Sequence, residues 1–180
     1  MQSDEELMVA AAQGDLGAFE QLIIRHQQTA WTIACRFLGD RSEAEDVAQE
    51  AFLKILKAAP RYRPSAAFRT YLIRVTSRLC IDRGRKMHPV YTDSVPDSPA
   101  AGRTAAQDAA RTERDRVIRS ALDALPSSQR MAVVLRYFED MSYRDISQAM
   151  DITEKAVERL LARARAALRE PLGQFEGEAG

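Results

Sequence analysis

Apolar residues recur at helical spacing along almost the whole chain, and this periodicity limits the folds that the chain can adopt. In one long segment they fall three or four residues apart, or side by side, at Phe19, Leu22, Ile23, Ala30, Ile33, Ala34 and Phe37. Such spacing gives a helix one apolar face. No segment alternates apolar and polar residues with the β-branched content that marks strands. The sequence therefore predicts an all-α protein.

Residues 87–109 interrupt this pattern. They contain three prolines, few large apolar residues and no sustained periodicity, as is typical of a linker. We therefore predict two small helical domains, at 1–86 and 110–170, joined by a flexible linker at 87–109. Residues 171–180 contain one proline and three glycines and are predicted to form a tail.

Helix starts are indicated where a serine is followed three residues later by an acid, the pattern of a capping box. The pairs are Ser3 with Glu6, Ser42 with Glu45, and Ser142 with Asp145. After the last pair, helices are predicted at roughly 143–150 and 154–170, separated by Asp-Ile-Thr. Two short helices joined by a tight turn form a helix-turn-helix, so we predict that motif in the second domain.

Charge is segregated along the chain, although the formal net charge is zero. Residues 1–20 contain five acids and no base, whereas residues 61–86 contain eight bases and one acid. A basic cluster in a chain with no net charge indicates a surface that binds a polyanion.

The sequence offers no catalytic or metal-binding arrangement. Cys35 and Cys80 lack the spacing of a zinc site or redox pair, and His26 and His88 have no nucleophile or carboxylate placed for catalysis. No apolar run approaches the roughly 20 residues that span a bilayer, and the N-terminus is acidic where a signal peptide is basic. We expect a cytoplasmic protein that is not an enzyme, has no cofactor, metal or membrane segment, and buries both thiols.

The helix predicted from residue 68 has an aromatic, basic side. Its apolar side consists of Phe68, Leu72, Val75 and Leu79, and the opposite side of Tyr71, Arg74, Arg78 and Arg85. Guanidinium groups hold phosphates and an aromatic ring stacks on an unpaired base, so this side suits a nucleic acid strand. The alternative is a solvated arginine-rich face with a half-buried tyrosine.

The preceding helix has a leucine on its polar side. Leu53 lies among Asp46, Gln49, Glu50 and Lys57, opposite the apolar side of the helix. A leucine ringed by polar residues is either a docking point for a partner or one of the single exposed leucines that are common on protein surfaces.

The last predicted helix is amphipathic. Its outward side carries Lys155, Glu158, Arg159, Ala162 and Arg163. In a helix-turn-helix, outward residues near the start of the second helix meet base edges in the major groove. The alternative is a C-terminal helix with solvated charges.

Taken together, the sequence resembles the extracytoplasmic-function (ECF) group of bacterial sigma factors, the promoter-specificity subunits of RNA polymerase. Four stretches carry the resemblance in the family's order and cover nearly the whole chain. They are FEQLIIRHQQTAWTIACRFLGD, EAEDVAQEAFLKIL, FRTYLIRVTSRLCIDRGRK and LPSSQRMAVVLRYFEDMSYRDISQAMDITEKAVERLLARARAALR.

The resemblance implies partners and sites. Core RNA polymerase would be bound through its β′ clamp helices and β subunit, with Asp46, Gln49, Glu50 and Leu53 at the polymerase-binding positions that the family uses against the β′ clamp helices. The −10 promoter element would be bound and melted by Arg61, Tyr71, Arg74, Arg78, Arg85 and Lys86. The −35 element would be read by Arg144, Thr153, Lys155, Ala156, Glu158, Arg159 and Arg163. An anti-sigma factor is a further expected partner, and no cofactor is implied.

Some positions depart from the family pattern. Tyr71 stands where tryptophan is usual and Arg78 where asparagine is frequent, which changes the −10 reading surface. The recognition helix begins KAVERLL in place of a Gly-Thr-Val-Lys-Ser-Arg-like run, and Asp151 replaces a frequent glycine in the turn. We therefore expect a −35 preference unlike the common one.

Two other functions fit parts of the sequence. A stand-alone helix-turn-helix regulator would explain the C-terminal half, but would leave the aromatic, basic helix and the leucine-centred face without a role. A helical adaptor that binds no nucleic acid is the alternative from another class.

Overall fold

In the computed structural model, residues 2–63, 67–85 and 105–173 are described. Over these residues the chain forms α-helices and no strand, which confirms the all-α prediction. The α-helices are α1 (Asp4–Ala12), α2 (Leu16–Leu38), α3 (Arg41–Ala58), α4 (Phe68–Gly84), α5 (Ala105–Asp123), α6 (Ser127–Val133), α7 (Tyr143–Met150) and α8 (Glu154–Gly173). A single 3₁₀ turn, Ala59–Arg61, follows α3, and a π-helical turn, Val134–Phe138, follows α6.

Helix α5 begins at Ala105, before the predicted domain start at 110, and α8 continues past the predicted stop at 170. Lys86 and residues 87–104 of the predicted linker lie outside the described residues. None of the described helices is both long enough and apolar enough to cross a bilayer.

Two of the three predicted helix caps are confirmed. The Ser3 amide donates to Glu6 Oε2 at 2.8 Å, and the Glu6 amide donates to Ser3 Oγ at 3.2 Å. At the start of α7, Ser142 Oγ accepts from the Asp145 amide at 3.1 Å.

The predicted cap at Ser42 is wrong, because α3 begins at Arg41 and its N-cap is Asp40. Gly39 ends α2 in the left-handed conformation at φ 72°. The next residue already serves the following helix, since Asp40 Oδ1 accepts from the Glu43 amide at 3.0 Å. A glycine in this conformation reverses the chain immediately after α2, so Asp40 and not Ser42 is in position to cap α3.

Helices α1 to α4 enclose the N-terminal part of the core. Leu22, Ile33, Phe37, Phe68 and Leu72 are fully buried there, and burying a side chain of this size contributes about 1.5–3 kcal/mol. Polar groups also fix the ends of these helices. The carboxylate of Glu5 in α1 accepts a hydrogen bond at 3.3 Å from the Phe68 amide at the first turn of α4.

Helices α5 to α8 form the C-terminal half, and α7 and α8 make the predicted helix-turn-helix. Ile146 of α7 and Val157 and Leu161 of α8 are buried in its core. The turn depends on Asp151, which adopts the left-handed conformation at φ 58°, ψ 45°. Aspartate tolerates this conformation better than most residues other than glycine.

The two halves pack against each other, mainly through α4 against α7 and α6 and through α2 against the π-helical turn. Side chains of α5 and α6 also reach the end of α2. Arg119 of α5 donates to the carbonyl oxygens of Arg36 at 2.8 Å and Phe37 at 3.1 Å. Arg130 of α6 donates to the same Phe37 oxygen at 3.2 Å. The carbonyl groups at the end of α2, which carry partial negative charge, are therefore satisfied by cations from the other half.

Candidate nucleic-acid interface

The basic side of α4 is exposed at three of its predicted positions. Arg74, Arg78 and Arg85 all reach solvent, while Tyr71 is half-buried. The Tyr71 ring packs against Tyr62, with ring centroids 5.4 Å apart. The tyrosine is therefore held in place by a second ring, which limits its motion and leaves part of its surface accessible.

A groove of about 430 Å³ brings several of these side chains together. Arg61, Tyr71 and Arg74 line it, whereas Arg78 and Arg85 lie outside it. The other lining residues are Ala58, Tyr62, Arg63, Thr70, Gln148 and Asp151. Guanidinium groups beside aromatic rings in a concave site provide contacts for both the phosphates and the bases of a nucleic acid strand.

Sequence reasoning missed Tyr62 and Arg63 as members of this groove. Burial raises the pKa of Tyr62, and the charge of Glu5 adds to the effect, so its hydroxyl stays protonated. That hydroxyl is buried and has no hydrogen-bond partner among the described residues. The Arg-Tyr-Arg run at 61–63 is the signal that could have identified both residues.

The leucine-centred face of α3 is present as predicted from the helical spacing. Leu53 is 56% exposed, and Asp46 and Gln49 are exposed on the same helix. Glu50 is half-buried and forms an ion pair at 3.5 Å with Lys54 one turn later.

Arg83 connects this acidic face to α4. Its guanidinium lies 2.6 Å from a Glu43 oxygen, 3.2 Å from a Glu50 oxygen and 4.0 Å from an Asp46 oxygen. Burial acts to lower the pKa of Arg83, but the hydrogen bonds and charges of Glu43 and Glu50 outweigh it and raise that pKa. One arginine of α4 therefore lies within ion-pair distance of three carboxylates of α3.

The predicted −35 residues lie on α7 and at the start of α8. Arg144, Lys155, Glu158, Arg159 and Arg163 are exposed, and Ala156 is half-buried. Thr153 caps α8, because its hydroxyl accepts from the Ala156 amide at 3.1 Å. The structure thus presents the charged residues to solvent and uses the threonine hydroxyl to start the helix.

Family comparisons agree with this layout. Models of Sigma-70 region 2 and Sigma-70 region 4 match residues 22–88 and 115–168, which together make up more than half of the chain. The chain belongs to the sigma-70 family. Its curated relatives place it in the ECF group, as the sequence resemblance implied.

Two relatives illustrate the extent of the similarity. RNA polymerase sigma-H factor of Pseudomonas aeruginosa is 31% identical over 99% of this chain and 98% of its own length. ECF RNA polymerase sigma factor SigM of Mycobacterium tuberculosis is 35% identical over 95% of this chain and 85% of its own length.

Solved structures show the same fold. CnrH in complex with the cytosolic domain of CnrY is 28% identical, with a TM-score of 0.67 over 96% of this chain and 99% of that chain. RpoE of Bartonella quintana in complex with the anti-sigma factor NepR has a TM-score of 0.58 over 86% of this chain and 96% of that chain, at 21% identity. Each match extends across both halves of this sigma factor.

Proposed function

We propose that this sigma factor directs core RNA polymerase to its promoters through three faces, one for polymerase and two for DNA. The observation that carries the proposal is the groove, which is lined by Arg61, Arg74 and the paired rings of Tyr62 and Tyr71. The proposed domains are 1–86, for polymerase and the −10 element, and 110–170, for the −35 element.

The polymerase-binding face is the leucine-centred face of α3, formed by Asp46, Gln49, Glu50 and Leu53. An exposed leucine surrounded by polar and acidic groups suits a protein partner better than DNA, because the acids repel phosphates. We assign this face to the β′ clamp helices, and contact with the β subunit is proposed elsewhere on the chain.

The −10 face combines the groove with Arg78, Arg85 and Lys86 further along the chain. Separating and unstacking a base costs a few kcal/mol. Stacking of a base on an aromatic ring recovers about 1–3 kcal/mol, and arginine contacts to the phosphates add to this. Binding therefore favours the open strand without any hydrolysis, so we propose that the protein acts by binding alone and is not an enzyme.

The −35 face consists of Arg144 and the outward residues at the start of α8, namely Thr153, Lys155, Ala156, Glu158, Arg159 and Arg163. Arginine and lysine at the start of a recognition helix donate to guanine, and glutamate accepts from cytosine. Glu158 is an acidic residue among basic side chains. It predicts a −35 preference that includes a cytosine, unlike the common preference of the family. Footprinting tests this, and protection of the family's usual −35 motif would contradict it.

An anti-sigma factor is the third proposed partner. CnrH and the Bartonella sigma factor are each bound to another protein in their solved structures. We place this protein in the cytoplasm, where polymerase works, and propose that its own partner covers the polymerase-binding face.

Run-off transcription with core polymerase on genomic fragments tests the proposed function. We expect discrete transcripts that require both the sigma factor and core polymerase, and co-purification of the two. Tight duplex binding without polymerase would support a stand-alone regulator instead. Failure to bind DNA at any salt concentration, even with polymerase present, would support the adaptor.

A further inference from the structure

Helix α4, which carries Tyr71 and Arg74 of the −10 face, begins without a capping side chain of its own. The residue at its N-cap position is Ala67, which supplies no side-chain hydrogen bond. The methyl group of alanine cannot accept from the free amides of a first helical turn. The Tyr71 amide donates to the Ala67 carbonyl oxygen at 3.2 Å, so the conformation at this end directly positions the backbone of Tyr71.

A carboxylate of α1 takes the place of this cap. Glu5 Oε1 accepts from the Phe68 amide at 3.3 Å, although the two residues are 63 positions apart in the sequence. Glu5 is half-buried in this position. A carboxylate at a helix N-terminus is favoured by the free amide groups and by the helix dipole. Glu5 therefore does for α4 what an N-cap side chain at residue 67 would do.

A second contact joins α1 to the same residue of α4. Asp4 Oδ2 lies 2.6 Å from Nε2 of His26 on α2. The His26 ring packs against the ring of Phe68, with centroids 5.1 Å apart, and Phe68 is fully buried. Neighbouring carboxylates of α1 thus hold the amide of Phe68 directly and its ring through His26.

Helix α1 is itself held firmly in its half of the chain. Arg25 of α2 donates to Asp4 at 2.8 Å, and Leu7 and Met8 of α1 are fully buried. Helix α1 also contacts the 3₁₀ turn that precedes Tyr62. The same short helix therefore touches both segments that bring the two tyrosines of the groove together.

We propose that α1 is a positioning element for promoter melting, in which Glu5 caps α4 and thereby sets the orientation of Tyr71. This inference rests on the proposed function of the groove and adds a residue that lies outside the −10 face. Glu5 acts through α4 and does not need to touch DNA. The acidic N-terminus, which the sequence sets apart from the basic helix, thereby has a role in the same site.

The loss of this cap is expected to affect one end of α4 more than the other. A first helical turn without a cap frays, because its amides exchange their protein partners for water. Tyr71 lies in the first turn of α4, and its ring packs against Tyr62. Fraying would release the Tyr71 ring from that contact, whereas Arg78 lies two turns further along the helix.

The test measures open-complex formation by the full-length protein with core polymerase, using permanganate footprinting beside a polymerase-binding assay. Glu5→Ala should reduce open-complex formation by about 3- to 10-fold, because the cap of α4 is lost. Polymerase binding should stay within about 2-fold, since α3 is not changed. Glu5→Gln should stay within about 2-fold of wild type in both assays, because its amide oxygen also accepts a hydrogen bond.

A cap placed at residue 67 provides the decisive variant. Ala67 has φ −55° and ψ 143°, close to the φ −71° and ψ 161° of Ser3, which caps α1. Adding Ala67→Ser to Glu5→Ala should restore open-complex formation to within about 2-fold of wild type, because the new hydroxyl caps α4 locally. A double variant that is folded by circular dichroism but does not recover melting would overturn the proposal. This variant also decides the question if Glu5→Ala alone does not fold.

Asp15→Ala is the matched control. Asp15 is an exposed acid of the same half and caps α2, because its Oδ1 accepts from the Ala18 amide at 3.0 Å. Its replacement removes one negative charge and one helix cap, as Glu5→Ala does, but leaves the start of α4 unchanged. Equal losses of open complexes for the two variants would mean that general destabilisation is the cause, and would contradict the proposal.

The outcome is separable from that of the proposed function. If replacing Tyr71 and Arg74 by alanine leaves open-complex formation unchanged, the groove is not the −10 site and the proposed function fails. If that double variant lowers open-complex formation whereas Glu5→Ala does not, only the positioning role of α1 is wrong.

Discussion

Two arginines on α4 show how the same side chain serves different purposes a few turns apart. Arg83 lies among three carboxylates of the adjacent helix in its own half of the molecule, and its side chain is 27% exposed. Arg74 faces the groove and pairs with one exposed carboxylate of the other half. The first arrangement braces α4 against α3 within one half, whereas the second is an exposed ion pair between the halves.

The largest effect is expected from the groove. Replacing Tyr71 and Arg74 together by alanine should reduce open-complex formation by roughly 10- to 100-fold, because a stacking ring and a phosphate contact are both lost. Permanganate footprinting of the melted strand, beside a polymerase-binding assay, measures this. Polymerase binding should stay within about 2-fold, since the substituted side chains lie on α4 rather than on α3.

Substitutions on α3 are expected to have the reverse effect, weakening polymerase binding more than promoter melting. Asp46→Ala with Gln49→Ala should weaken polymerase binding by roughly 10-fold and leave melting by the assembled complex nearly unchanged. Equal losses in both assays for the α3 and α4 variants would mean that the substitutions unfold the protein instead.

The ion pairs of Arg83 are tested by measuring the free energy of unfolding. Arg83→Gln leaves Glu43, Glu50 and Asp46 without their shared cation, so we expect the free energy of unfolding to fall by about 1–2 kcal/mol. Arg74→Gln should change it by less than about 0.5 kcal/mol, because exposed ion pairs contribute little. Urea titration followed by circular dichroism gives both values. Equal losses of stability for the two variants would mean that Arg83 and Arg74 do not differ in their contribution to the fold.

A smaller, pH-dependent effect is expected where α1 meets α2. Asp4 lies 2.8 Å from Arg25 and 2.6 Å from His26. Burial acts to raise the pKa of Asp4, but hydrogen bonds from Arg25 and His26 outweigh it, so that pKa lies below its ordinary value of 3.8.

A carboxylate with a lowered folded-state pKa stabilises the fold above its unfolded-state pKa, and this stabilisation is lost as pH falls through the folded-state value. Asp4→Asn should therefore be less stable than wild type by about 0.5–1 kcal/mol at pH 6. The difference should shrink below pH 4 in urea titrations at each pH. A difference that stays constant down to pH 3 would rule out this ionisation as its cause.

The smallest effect is expected at the cysteines, which are both buried. Burial raises the pKa of Cys35 to about 11 and that of Cys80 further still. Since the thiolate is the reactive form, neither should respond to oxidants in the folded protein. Replacing both by serine should leave transcription under peroxide unchanged, and rapid labelling of the native thiols by a disulfide reagent would contradict this.

Features that depend on neighbouring residues were predictable from the sequence. The helix class, the caps at Ser3 and Ser142 and the bounds of α7 follow from spacing and hydrogen bonds within one turn. The cap at Ser42 was mispredicted because three of the four residues from Gly39 to Ser42, all except Arg41, favour helix ends. Only the left-handed conformation of Gly39 decides between them. Local sequence patterns therefore predict that a helix begins in this segment, but the conformation of the preceding turn determines the residue at which it begins.

Features that join distant parts of the chain were not predictable. The helical spacing placed Phe68, Leu72 and Leu79 correctly inside α4, but Thr76 and Ser77 are also buried. Nothing in the sequence of α4 reveals that α7 packs on it. The pairing of Arg74 with Asp151 likewise depends on the packing of two halves that are separated by the predicted linker.

Gly39 lies where the end of α2 meets the side chain of Arg119 from the other half. A β-carbon at this position would collide with the guanidinium of Arg119, and the left-handed backbone would be strained as well. A single methyl group would therefore push the Arg119 guanidinium away from the carbonyl oxygens of Arg36 and Phe37. Since glycine and alanine codons differ by one nucleotide, one base change in the gene is enough to produce Gly39→Ala and to remove hydrogen bonds that join the two halves.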